Sequence, residues 1–144
     1  MTISAMDALT RYLERHAEKF DESLPKPRLS TRLCVVIPAL AESAEDVEHV
    51  LATIGPPGDT FEVIVVINRS EDAPVEVVEK NRRLSSALNR HPVIVLEKVF
   101  PSGTAGVGAA RRTGMDLALR RLVASGRFED GVIACLDADS PVSE

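Results

Sequence analysis

LCVVIPALAESAEDVEHVLATIGPPGDTFEVIVVINRSED, residues 33–72, holds one complete unit of a fold. It opens with Leu33 to Ile37, a short apolar run, β-branched in the main, that suits a strand buried on both faces. Ser43 stands at a helix N-cap position ahead of Val47, Val50, Leu51 and Ile54, whose spacing lines one helical face. A second apolar run, Val63 to Ile67, closes the unit. Strand, helix, strand in this order predicts two parallel strands joined by a crossover helix.

The same rhythm continues downstream. Val93 to Leu96 and Val132 to Leu136 are further strand-like runs. Asp72 is placed to cap a helix carrying Val75, Val78, Arg82 and the Leu84 to Leu88 region, and another helix runs from about Gly106 to Ala124 with Gly126 placed to end it. Upstream, Met6, Leu9, Leu13, Ala17 and Phe20 fall on one face of a helix over residues 4 to 20, with Ser4 and Asp7 spaced as a capping box. Pro25-Lys26-Pro27 then forms a stiff linker. The predicted organisation is an N-terminal helix and linker over 1–30 and a single domain over 31–144. The expected fold class is α/β: a Rossmann-like three-layer α/β/α sandwich on a mainly parallel four-stranded sheet, order 3-2-1-4, preceded by the amphipathic helix. That helix is expected to pack on the domain or a partner, because acidic residues match the basic ones on its polar side and disfavour a membrane surface.

Composition narrows the function. A chain of 144 residues with 44% hydrophobic and 27% charged residues is that of one soluble globular domain. No Trp, one Tyr and four Phe leave little for stacking on bases, and a net charge of -5 with dispersed cations gives no footprint for a phosphate backbone. Nucleic acid is not an expected partner. Cys34 and Cys135 sit inside apolar runs without spaced Cys or His ligands, which predicts buried reduced thiols, no structural zinc and a cytoplasmic setting. No apolar run reaches the length of a membrane span; attachment to the membrane's inner face would be left to sequence outside the chain.

In parallel sheets ligands bind at the carboxyl ends of the strands, beside the point where strand order reverses. Chemistry-bearing residues fall there. Asp137 and Asp139 close the fourth run as Asp-Ala-Asp, and two such close carboxylates suit an oxygen-ligated Mg²⁺ or Mn²⁺ that also binds phosphate. Acidic residues after strands also serve as helix caps, as Asp139 or Ser140 would do. Gly103 to Arg111 is rich in small residues and opens a helix, so backbone N–H groups near Gly106 and the Arg111 guanidinium are candidates for an anion. It is neither a P-loop nor a dinucleotide fingerprint: no Gly-Lys-Ser/Thr run exists, Arg111 occupies the third small position, and the segment follows the third strand. Asn68, Ser70 and Asp72 follow the second strand, where Asn68 offers donor and acceptor to a base edge, although the pattern also suits a turn with Asp72 as cap. Glu42 is either a surface carboxylate or a ligand-facing one. His16, His49 and His91 form no constellation, and no nucleophilic triad can be assembled.

Four ordered pieces carry a resemblance: VVIPALAE at 35–42, VIVVINRSED at 63–72, GVGAARRTG at 106–114 and LDAD at 136–139. From Leu33 to Glu144 the chain resembles the N-terminal, nucleotide-sugar-binding part of family two glycosyltransferases, which have the GT-A fold. The resemblance implies that Pro38, Ala39 and Glu42 border base and ribose, that Asn68 meets the base edge, and that Arg111 supports the nucleotide. It further implies that Asp137 lies near ribose and that Asp139, with Asp137, holds a metal bridging the diphosphate. The donor implied is a nucleoside-diphosphate sugar, by default a UDP-sugar with GDP open, and the acceptor is unknown.

The departures from the family pattern are specific. Tyr-Asn before the glutamate is Leu40-Ala41 here, which removes a stacking partner, and Asp-Asp-Gly-Ser is Ile67-Asn68-Arg69-Ser70, which alters the base edge. The chain ends five residues after Asp139, so the catalytic base is expected beyond Glu144. The isolated chain is expected to be inactive in transfer, with its sheet edge or site mouth covered by a partner copy or by absent sequence. The competing expectation is a non-catalytic nucleotide-binding or interaction module of the same fold. A nucleotidyltransferase is disfavoured, because Pro38 to Glu42 stand where that class has a Gly-rich, Arg-containing loop.

Overall fold

The computed structural model describes residues 4–21, 23–127 and 129–139. In chain order the elements are α1 (Ala5–Arg15), β1 (Leu33–Ala39), α2 (Ala44–Ile54), β2 (Phe61–Ser70), α3 (Val75–Leu88), β3 (Ile94–Phe100), α4 (Val107–Ala124) and β4 (Val132–Cys135). The strands form one parallel sheet in the order β3-β2-β1-β4, as expected, with Val35 of β1 opposite Val63 on one side and Ala134 on the other.

Alternation along the central strands sorts the core into two layers. Val35, Ile37, Val63, Val65 and Ile67 face α2 and α3 through Val47, Val50, Leu51, Leu84 and Leu88. Cys34, Val36, Ile64 and Val66 face α4 through Ala110, Leu117, Ala118 and Leu122. Gly114 sets how close α4 lies, since a Cβ there would meet Val36 Cγ1 at 2.3 Å and Val66 Cγ2 at 3.0 Å. The order of strands reverses between β1 and β4, which opens the crevice of a doubly wound sheet at their carboxyl ends.

Local signals explain the helix ends. The Ser43 hydroxyl accepts from Asp46 N–H at 3.1 Å and starts α2, and Gly126, at φ 78°, follows the end of α4. Asp72 does not cap α3 as expected. Pro74 holds that position without a side-chain bond, and the Asp72 carboxylate is instead taken by the hydroxyls of Ser70 and Ser102. Burial on both faces holds for β1 and β2 alone. β3 and β4 are edges with one neighbour each, so Glu97, Val99, Val132 and Cys135 are exposed. Cys34 is fully buried, whereas the expectation of a buried Cys135 fails because its edge strand is incompletely covered.

The N-terminal helix is shorter than its apolar stripe suggests. It ends at Arg15, and α4 takes one carbonyl of its last turn and those of the segment that follows: Arg120 donates to Leu13 O at 2.8 Å, Ala17 O at 3.3 Å and Glu18 O at 2.7 Å, and Arg112 donates to His16 O at 3.3 Å. Asp116 on α4, 3% exposed, accepts from the Tyr12 hydroxyl and from Glu18 N–H at 3.0 Å. Beyond the helix, Phe20 and Leu24 pack on the α4-side core. Arg121 then fixes the linker, donating to Pro25 O at 2.5 Å while pairing with both oxygens of Glu62.

Candidate active site at the carboxyl rim

At the end of β1, Pro38 and Ala39 are buried, Leu40 is exposed and Ala41 takes a left-handed conformation at φ 52°. A residue with a Cβ reaches that region at a cost, so the loop needs a partner to hold it. Glu42 follows, half-buried. Its carboxyl is raised above the usual range, first by burial and then by the charges of Asp139 and Asp46, with Lys80 opposing.

The acidic pair sits across the crevice. Leu136 N–H bonds Val36 O at 2.9 Å, so the chain keeps beside β1 after β4 ends. Ala138 is then tucked into the α2/α3-side core, and Asp137 and Asp139 on either side of it are exposed. They have different neighbours. Asp137 Oδ1 accepts from Arg111 Nη2 of α4 at 3.0 Å, while Asp139 lies close enough to Glu42 to raise its carboxyl. Both ends of that ion pair are about half exposed, which keeps it weak and exchangeable.

The remaining predicted residues are less convergent. Asn68 is 2% exposed; its Nδ2 donates to Ala39 O at 3.0 Å and to Val66 O at 3.4 Å, and its Oδ1 is buried without a partner. Its amide therefore braces the end of β1, and Oδ1 is the atom left for any other contact. Ser70 lies on the β2/β3 side, where its hydroxyl goes to Asp72. Ser102 joins them, giving its hydroxyl to Asp72 at 2.8 Å and its N–H to Glu71 at 3.0 Å. The Ser70 and Ser102 hydrogen bonds hold the Asp72 carboxyl below its usual range. Gly106 begins α4 without any side-chain cap, and a methyl on Gly108 would meet nothing within 4 Å, so the helix start is open to solvent.

The structure thus brings Glu42, Arg111, Asp137 and Asp139 together at the strand-order reversal and leaves Ser70 apart. Among the described residues no three His, Cys, Asp or Glu side chains form a ready metal cage. The donor set fits a hard cation held by one or two carboxylates and completed by phosphate oxygens and water, the usual habit of Mg²⁺. A groove of about 730 Å³ lies elsewhere, between the linker and α4, lined by Phe20, Leu24, Pro25 and Leu117. It has no carboxylate cluster, and Arg120 and Arg121 on its wall are already engaged.

Sequence reasoning missed Asn81. It is 6% exposed on the core face of α3; its Oδ1 accepts from Ala41 N–H at 2.9 Å and its Nδ2 donates to Asn68 O at 2.9 Å. The signal was an amide in register with Leu84 and Leu88, a polar residue where the stripe calls for an apolar one.

The sequence model described as Glycosyl transferase family 2 matches residues 34–144, which begins just inside β1 and takes in every element of the rim. No curated protein matches the chain.

Proposed function

Because the chain belongs to glycosyl transferase family 2, we propose that its carboxyl rim binds the diphosphate of a nucleoside-diphosphate sugar together with Mn²⁺ or Mg²⁺, for transfer of the sugar to an acceptor still to be identified. The observation that carries this is the meeting of Glu42, Asp139, Asp137 and Arg111 at the crevice between β1 and β4.

In this proposal each residue has a defined task. Asp139, with Asp137, holds the cation, and Arg111 exchanges its contact with Asp137 for a phosphate oxygen when the nucleotide arrives. The uncapped start of α4 at Gly106 presents N–H groups to the same anion. Pro38, Ala39 and Glu42 border the nucleoside. A bound divalent ion would supply Lewis-acid neutralisation of the charge that develops on the leaving diphosphate. With Asn68 Nδ2 spent on Ala39 and no aromatic at 40 or 41, backbone groups of the β1–α2 loop read the base; UDP is the default and GDP the alternative. Among the described residues no helix is long and apolar enough to cross a membrane, and two free thiols support a cytoplasmic setting.

Calorimetric titration of UDP and GDP with and without Mn²⁺ tests the proposal. Affinity that requires the cation and is lost in Asp139→Asn supports it. Binding indifferent to both would sink the metal-bridged site and favour a nucleotide-binding module without transfer chemistry, the reading that the engaged Asn68 amide also suits.

A further inference from the structure

Three hydrogen bonds knit the rim end of β1 to the interior. Ala39 O accepts from Asn68 Nδ2 at 3.0 Å, Asn68 O accepts from Asn81 Nδ2 at 2.9 Å, and Ala41 N–H donates to Asn81 Oδ1 at 2.9 Å. Asn81 is thus the far end of the chain of contacts and the partner of the one non-glycine residue, among those described, with positive φ. Each of its two amide atoms is used, and nothing about helix α3 itself needs either bond, because the ladder of a helix satisfies its own backbone. A leucine would be the ordinary occupant of a core-facing position in line with Leu84 and Leu88.

We propose that Asn81 is a positioning residue for nucleotide binding: it latches Ala41 in the left-handed conformation that sets Glu42 beside Asp139. The inference rests on the nucleotide reading of the rim and adds to it a residue that never touches the ligand. Without the latch, Ala41 relaxes to negative φ, the common state for alanine, and the loop from Leu40 to Glu42 loses its set position. The preference for that relaxation disappears if residue 41 is glycine, which takes positive φ freely.

The test uses the whole chain and two measurements. Amide hydrogen exchange reads the latch without any ligand, and titration with Mn²⁺ and UDP or GDP reads its consequence. Asn81→Ala is expected to speed exchange at Ala41 by about tenfold and to weaken the nucleotide by a similar factor, roughly the value of one hydrogen bond. Asn81→Asp, which keeps the acceptor, retains Ala41 protection. Ala41→Gly in the Asn81→Ala background recovers most of the affinity, an outcome that a purely stabilising role for Asn81 would not produce. If Asn81→Ala does not fold, Ala41→Pro removes the same N–H from the loop side and is expected to abolish binding.

Unchanged Ala41 exchange in Asn81→Ala overturns the latch. A broken latch with unchanged affinity overturns the positioning role. A latched wild-type chain that binds neither nucleotide overturns the nucleotide reading itself and takes the positioning role with it, and the exchange data separate that case from the first.

Discussion

Asp116→Asn should loosen the N-terminal arm from α4 while leaving the sheet intact, and the chain carries its own reporter. Tyr12 is the sole tyrosine and there is no tryptophan, so absorbance near 295 nm follows one phenol, the one that donates to Asp116. Asp116 accepts two bonds, from Tyr12 and from Glu18 N–H, at a site 3% exposed. Bonds to a charged partner are each worth about 1.5–3 kcal/mol. Asparagine keeps one acceptor and turns an NH₂ toward the other donor, and the Tyr12 hydroxyl can recover water. The net loss is therefore about 2 kcal/mol, a factor of roughly 30 in the docking equilibrium. The Asp116 hydrogen bond, followed by burial and the Asp116 charge, raises the Tyr12 phenol above its ordinary 10.0, with Arg112 opposing. The folded chain holds that proton more tightly than the unfolded one. The contact thus gives its full stability below pH 10.0 and loses it as pH climbs through the raised value. In Asp116→Asn the phenol should titrate near its ordinary value, and Glu18 N–H should exchange faster. Identical titration curves for the two chains, or an ordinary phenol in the wild type, would refute the reasoning.

Two further outcomes follow from the core. Gly114→Ala should destabilise the chain by up to about 2 kcal/mol in urea unfolding, because overpacking against Val36 and Val66 costs about 1–3 kcal/mol and the helix gains back about 1 kcal/mol; a gain in stability would mean that α4 is free to shift. In the native chain a thiol reagent should modify Cys135 alone, since burial first, and the Glu62 charge second, push the Cys34 thiol up to about 12. Two reactive thiols before unfolding would contradict the packing of β1.

The sheet was legible because four apolar runs separated by helical stripes leave few ways to pair the strands, and the Ser43 and Gly126 helix-end signals needed no tertiary information. What the sequence hid depends on neighbours distant in the chain. Nothing local distinguishes Cys135 on an edge from Cys34 in the centre, since both lie in similar runs. The stripe from Met6 to Phe20 reads as one helix, but the helix stops at Arg15, and Arg112 and Arg120, about a hundred residues away, bind carbonyls of the segment that would have continued it. Asp72 fits a cap and a turn equally well, and the arrival of Ser102 decides for the turn. At the rim, the acidic motif and Arg111 were visible as types, whereas Asn81 had to be seen across the fold to have meaning.

Gly114 and Ala41 give the two walls of the crevice opposite mechanical characters. The α4 wall is a stiff jaw: backbone presses directly on Val36 and Val66, so Arg111, three residues earlier on the same helix, is aimed from a platform with no room to rock. The wall bearing Glu42 is the hinged jaw, held by two side-chain amides, Asn68 on Ala39 and Asn81 on Ala41. Any adjustment to a guest of different size must be made on that side.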